Sequence, residues 1–256
     1  MKKHLSDFTV IEKTRLTAHF VLLKFTHPNP LPEMLPGQFA EVKIDNSPET
    51  FLRRPFSINY FDKIKNEFWL LIRLVGKGTL KLSEINPGDK VNMILPLGNS
   101  FSLPKSLNAK TLLIGGGCGT APMLFLGAYL KAKGFAPTFL LGARSKPDLL
   151  QLDEFAKYGA VLITTEDGSA GEKGYITRHS ILETDTFDHV YTCGPKPMMQ
   201  AVANHAKEKN IFCEVSLENT MACGFGVCLC CVENTCEGNI CVCKEGPVFN
   251  IKKLLW

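Results

Sequence analysis

The chain has 256 residues, 45% of them hydrophobic and 21% charged, with a net charge of +4. That length buries a large core and has room for two domains. The scattered basic excess is too small to point to nucleic acid. No run of about 18 apolar residues is present to span a membrane, and the start, Met1-Lys2-Lys3-His4-Leu5-Ser6-Asp7, lacks the apolar stretch of a signal peptide. The expectation is a cytoplasmic protein with neither nucleic-acid nor membrane partners.

The first hundred residues read as all-β. Phe20 to Phe25 is rich in strand formers, Gln38 to Ile44 alternates after the Pro36-Gly37 turn, and Phe68 to Val75 is a further apolar run. Asn86-Pro87-Gly88-Asp89 marks a turn before a strand over Lys90 to Leu95. Short strands parted by Pro and Gly turns predict an antiparallel barrel over residues 1–104. From Lys105 the texture changes. Strands are predicted at Thr111–Ile114, Thr138–Leu141, Ala160–Thr165 and His189–Thr192, with helices over Pro122–Lys133, Leu149–Lys157 and Pro197–Lys209. That alternation predicts a parallel α/β domain over 105–210. Residues 211–256 are rich in cysteine and short of helical periodicity, and are expected to form a small metal domain.

Within the barrel, Arg53-Arg54-Pro55-Phe56-Ser57-Ile58 sets a cation, an aromatic ring and a hydroxyl within four residues, and Gly76-Lys77-Gly78-Thr79 follows one strand later. On a strand Arg54 and Phe56 share a face. Arg54 suits a phosphate, Phe56 a planar ring, Ser57 its polar edge, and the Gly78 and Thr79 amides a pyrophosphate. The plain alternative is a solvated strand rim. Gly115-Gly116-Gly117-Cys118-Gly119-Thr120-Ala121-Pro122 links a predicted strand to a predicted helix. This is the placement in which Gly115, Gly117, Gly119 and Thr120 bring backbone amides to a dinucleotide, while Pro122, whose missing N–H costs nothing in a first turn, opens the helix whose N-terminus faces it. A tight turn alone would need no nucleotide. Cys193-Gly194-Pro195 follows another predicted strand, and the carboxyl ends of such strands are where ligands bind.

Ten cysteines are present, seven of them between Cys223 and Cys243. Clustered cysteines without a signal peptide favour metal over disulfides. Cys118, Cys193 and Cys213 are isolated and read as small buried hydrophobes. The intervals C-x4-C (Cys223, Cys228) and C-x2-C (Cys228, Cys231) are those of a plant-type 2Fe-2S loop, and Cys236, Cys241 and Cys243 compete to be the fourth ligand. Structural zinc usually shows two separated C-x2-C pairs, and one is present. Gly224 and Gly226 allow the loop to curl and expose amides to sulfur.

The order of these motifs resembles the ferredoxin–NADP reductase superfamily. Glu218-Asn219-Thr220-Met221-Ala222-Cys223-Gly224-Phe225-Gly226-Val227-Cys228 and Cys243-Lys244-Glu245-Gly246-Pro247-Val248-Phe249 are similar to the electron-transfer subunits of bacterial type B dihydroorotate dehydrogenase. The resemblance covers essentially the whole chain. It implies FAD on the barrel at Arg54, Pro55, Phe56, Ser57, Leu71, Ile72, Arg73, Gly78 and Thr79. It implies NAD on the α/β domain, and iron on Cys223, Cys228, Cys231 and Cys243. Cys243 is preferred because it precedes the Gly246-Pro247-Val248-Phe249 segment, although spacing alone leaves Cys241 open. It further implies a relay from the FMN of a separate dihydroorotate-oxidising subunit through the 2Fe-2S cluster and FAD to NAD+, in a heterotetramer of two catalytic and two electron-transfer subunits. Reductase subunits of sulfhydrogenase, sulfite reductase and ferredoxin–NADP oxidoreductase share these motifs, so the donor stays open. A redox-sensing module without flavin would not need the Arg54–Ser57 segment. Arg144 leaves NADP in play, and Asp167-Gly168-Ser169 is either a cofactor contact or a turn.

Overall fold

A computed structural model describes residues 2–256. The first strands are β1 (His4–Arg15), β2 (Phe20–Thr26), β3 (Phe39–Val42), β4 (Arg54–Asp62), β5 (Glu67–Arg73) and β6 (Lys90–Leu97). They close into an antiparallel barrel in the order β1-β2-β5-β4-β3-β6. Closure leaves no unpaired strand edge. The barrel core is aromatic: Phe68 lies 5.3 Å from both Phe8 and Phe25, ring centre to ring centre. Each such ring contributes about 1.5–3 kcal/mol by leaving water.

Two features of the barrel were not foreseen. The N-terminal strand β1 buries fully only Phe8 and Val10, so its alternating signal is too short to read. Gly76-Lys77-Gly78-Thr79 opens a short helix α1 (Lys77–Leu82) within a region expected to be all-β. Thr79 Oγ1 accepts from the amides of Val75 (3.0 Å) and Gly76 (3.1 Å), which starts the helix.

The second architecture contains β7 (Thr111–Gly116), α2 (Thr120–Ala132), β8 (Thr138–Ala143), α3 (Leu152–Ala156), β9 (Ala160–Thr165), β10 (Glu172–Lys173), α4 (Ile181–Thr184), β11 (His189–Cys193), α5 (Lys196–Glu208) and β12 (Phe212–Ser216). A short hairpin, β13 (Val232–Thr235) and β14 (Gly238–Cys241), follows, then α6 (Val242–Glu245) and β15 (Val248–Asn250). The large sheet runs β10-β9-β8-β7-β11-β12-β15, parallel except for β15. α5 buries Met199, Val202, Ala203 and Ala206, one face of a helix. Strand order reverses between β7 and β11, and open α/β sheets bind ligands at such a reversal.

The compact units do not coincide with three consecutive sequence segments. One unit joins the chain up to Ser100 to Asn219–Glu233 and Asn239–Pro247; the other is Phe101–Glu218, Asn234–Gly238 and Val248–Trp256. Residues 211–256 are divided because β12 and β15 extend the parallel sheet, whereas the cysteine loop folds with the barrel. Among the described residues, no helix is long and apolar enough to cross a membrane.

Candidate functional site

On the barrel, Arg54, Pro55, Phe56 and Ser57 form a run of half-buried positions immediately before the fully buried Ile58 and Asn59. A strip of strand that the protein covers only in part suits a planar ring. The two arginines part company here. Arg53 donates to the carbonyls of Glu41 (3.3 Å) and Asn92 (3.0 Å) and to Asn92 Oδ1 (2.5 Å), tying β3 to β6. Arg54 donates to the Leu52 carbonyl at 2.8 Å and belongs to the half-buried strip. Leu71 and Ile72 are buried in the barrel, so only their backbone is available to a cofactor, while Arg73 is exposed. Gly78 and Thr79 lie in the first turn of α1, where amides lack intrahelical partners.

The cysteine loop sets its sulfurs in two pairs, and among the described residues no group of three stands ready-made to hold a metal ion. Cys223 and Cys228 interact side chain to side chain, as do Cys231 and Cys243. Backbone amides point at three of the sulfurs: Phe225 N–H at Cys223 (3.3 Å), Gly226 N–H at Cys243 (3.1 Å) and Cys243 N–H at Cys231 (3.3 Å). Burial raises the Cys223 thiol, but the amides of Phe225, Cys228 and Val227 outweigh it and bring it down to about 6. Gly226 has φ +80°, a conformation that glycine adopts without strain. Its backbone meets the two rivals for the fourth position differently. The N–H points at Cys243 Sγ, whereas the C=O accepts from Cys241 Sγ at 3.7 Å. Cys230 is exposed, and Cys236 donates to the Lys252 carbonyl at 3.4 Å.

This loop is seated on the barrel. A Cβ on Gly224 would lie 2.9 Å from Glu41 Cγ and 3.0 Å from Leu97 Cδ1. Glu41 on β3 pairs with Pro55 on β4, so the cluster loop stands one strand from the Arg54–Ser57 segment. Glu41 was missed from sequence, although an acid within the apolar run Phe39–Ile44 was a signal. It is fully buried, and its carboxylate oxygens have no hydrogen-bond partner among the described residues. Burial pushes it up to about 7, with Arg53 opposing and Cys223 adding to the rise.

The two glycine turns of the parallel sheet meet at the strand reversal. β7 and β11 pair in register, Gly115 opposite Cys193. Gly119 packs directly on the Cys193–Gly194 peptide, where a Cβ would lie 2.3 Å from the Cys193 carbonyl oxygen. Thr120 Oγ1 donates to the Gly117 carbonyl at 2.9 Å and locks the turn. Pro122 lies in the first turn of α2, where its missing N–H costs nothing. Gly117 borders open space, which leaves room for a pyrophosphate at the helix start. Gly194-Pro195 leads from β11 into α5. Cys193 and Cys213 are buried as expected, whereas Cys118 is half-exposed; the sulfurs of Cys118 and Cys193 both approach the Glu218 carboxylate, at 3.8 and 3.9 Å. Asp167-Gly168-Ser169 is a self-locked turn, with Asp167 Oδ1 accepting from Ser169 N–H (2.9 Å) and Oγ (2.6 Å).

Residues 218–255 match the iron-sulfur cluster binding domain of dihydroorotate dehydrogenase B, and residues 113–204 match the oxidoreductase NAD-binding domain. The dihydroorotate dehydrogenase B (NAD(+)) electron transfer subunit of Geobacillus sp. (strain WCH70) is 39% identical over 218 residues, 84% of each chain. That of Listeria monocytogenes serotype 4b (strain F2365) is 40% identical over 221 residues, 85% of this chain and 86% of its own. Among solved structures, a chain of an NADH-dependent reduced ferredoxin-NADP oxidoreductase superposes with TM-score 0.87 at 29% identity, over 97% of this chain and 90% of that one. A ferredoxin reductase of carbazole 1,9a-dioxygenase, at 20% identity and TM-score 0.70 over 82% of this chain and 67% of its own, shares the fold. This chain belongs to the family of electron transfer subunits of NAD(+)-linked dihydroorotate dehydrogenase B.

Proposed function

We propose that this chain carries electrons from a dihydroorotate-oxidising partner subunit to NAD+, as a step in pyrimidine biosynthesis. The observation that carries the reading is the seating of the four-sulfur loop on β3, one strand from the half-buried Arg54–Ser57 strip, within one compact unit. When bound, the 2Fe-2S cluster supplies single-electron transfer and FAD joins it to the two-electron chemistry of the nicotinamide. The chain's own residues bind and orient. Cys223, Cys228, Cys231 and Cys243 are the proposed iron ligands, and the Phe225 and Gly226 amides neutralise charge on their sulfurs. Arg54 grips a phosphate of FAD, Pro55, Phe56 and Ser57 hold its flavin end, the backbone of Leu71, Ile72 and Arg73 flanks that end, and the first-turn amides of Gly78 and Thr79 take the pyrophosphate. Gly115, Gly117, Gly119, Thr120 and Pro122 receive NAD beside Cys193, Gly194 and Pro195.

The reading includes an FMN-containing catalytic partner, a heterotetramer with two copies of each subunit, and a cytoplasmic setting. A reducing compartment keeps so many thiols available to metal. The test is anaerobic co-purification with the FMN-containing subunit, then dihydroorotate, then NAD+. Bleaching of flavin and cluster absorbance on the first addition and NADH formation on the second are expected. Two proteins that stay apart, with the flavin and cluster of this chain not reduced when dihydroorotate is added, would remove the donor. The 0.87 TM-score match favours one second reading, a reductase subunit of the ferredoxin-NADP oxidoreductase kind. In that case NADH would still reduce the flavin while dihydroorotate would not.

A further inference from the structure

Cys118 and Cys193 belong to the two glycine turns, 75 residues apart in sequence but in contact in space. The Cys118 sulfur is 3.8 Å and the Cys193 sulfur 3.9 Å from one atom, Glu218 Oε1. Their exposure differs: Cys118 is half-exposed, whereas Cys193 is 0% exposed. The residue after Cys118 packs directly on the Cys193–Gly194 peptide, so little backbone travel separates the thiols. Cys118 also stands at the approach to the thirteen-residue helix α2, whose N-terminal dipole favours a thiolate. An accessible thiol at a helix start, a buried second thiol and a carboxylate touching both have the parts of a thiol–disulfide exchange centre.

We propose that Cys118 and Cys193 form a reversible regulatory disulfide, with Glu218 as the proton acceptor, that closes the nucleotide turn. The oxidant is a low-molecular-weight disulfide, RSSR. In the first step Cys118 sulfur attacks one sulfur of RSSR and breaks its S–S bond. One RS− leaves and takes the Cys118 proton, giving Cys118–S–SR and RSH. In the second step the Cys193 thiol passes its proton to Glu218 as its sulfur attacks Cys118. The protein S–S bond forms, the second RS− is expelled, and that RS− takes the proton from Glu218. Two thiols have lost two electrons and two protons, and one RSSR has become two RSH. Burial first, and the Glu218 charge second, hold the Cys193 thiol well above its ordinary range, so it waits protonated until Cys118 is activated. The bond would tie the Gly117–Gly119 turn to the end of β11. Its effect on turnover rests on the reading that NAD occupies these turns; its formation does not.

The experiment uses the complete protein with cluster and FAD, anaerobic, with oxidised glutathione as the probe. Peptide mapping after alkylation reads the linkage, absorbance reads the cluster, and stopped-flow reads flavin reduction by NADH. A Cys118–Cys193 linked peptide is expected, with flavin reduction slowed about 100-fold, the cluster spectrum unchanged, and full recovery in dithiothreitol. Cys118→Ser should give no linkage, and its own rate should not change on treatment. Glu218→Gln should slow the second step about 100-fold and leave a mixed disulfide on Cys118. A lasting glutathione adduct on Cys118 in the natural sequence, linkage confined to other cysteines, or no modification at all would overturn the proposal. A linkage that forms while NADH still reduces the flavin at full rate would keep the disulfide and remove NAD from these turns.

Discussion

Sulfur occupies two opposite settings in this chain. On the cluster loop, Cys223, Cys231 and Cys243 each face a backbone N–H, and the amides around Cys223 bring its thiol down to about 6. At the nucleotide turns, Cys118 and Cys193 face a carboxylate, and burial together with that charge pushes Cys193 up. Donors bring Cys223 down, yet Cys243, which also faces an N–H, is pushed up to about 12 by burial first and Cys231 second, so burial competes with the neighbouring dipoles at both sites. Spacing in the sequence says where thiols are; the fold decides whether a donor or an acceptor faces each.

The sharpest way to break that comparison is at the Gly226 peptide. Cys243→Ser should leave almost no 2Fe-2S absorbance, and Cys241→Ser should keep its iron, as measured by iron and sulfide content. The reverse pattern would show that facing an N–H does not mark the ligand. Next, Gly119→Ala should place a Cβ against the Cys193 carbonyl and push the two turns apart. A loss of about 100-fold in flavin reduction by NADH is expected, with cluster and FAD content unchanged. An unaffected rate would detach NAD from that contact.

A smaller effect is expected on the barrel. Arg54→Ala should weaken FAD retention about tenfold, consistent with one charge-assisted contact to phosphate, whereas Arg53→Ala should instead lower thermal stability by untying β3 from β6. Equal FAD loss in the two variants would erase the distinction drawn between these arginines. The smallest effect concerns Glu214 on β12, which accepts from Ser102 N–H at 2.9 Å and whose carboxyl is raised by burial, with Ser102 opposing. A carboxyl raised in the folded state binds more protons there than in the unfolded chain. Stability should therefore decline as pH climbs from the ordinary carboxylate range through the raised one. Glu214→Gln should flatten that decline in thermal melts taken across the range, and an unaltered slope would assign it to other groups.

What the sequence by itself determined is what depends on local periodicity and short spacing. Alternation in Gln38–Ile44 and the buried runs at Thr111 and His189 were legible because strand and helix periods need only neighbours along the chain. The C-x4-C-x2-C interval was legible because a metal loop is built from consecutive residues. Tertiary structure decided the rest. The mostly polar β1 is a strand because β2 and β6 flank it. Residues 212–216 join the sheet because β11 offers an open edge, and 248–250 then add antiparallel to the edge of β12. Glu41 lies under the cluster loop, Arg53 and Arg54 divide their labour, and Glu218 gathers Cys118 and Cys193, all through contacts among residues distant in sequence. No local pattern encodes such a contact, because it exists only once the chain has closed its barrel and its sheet.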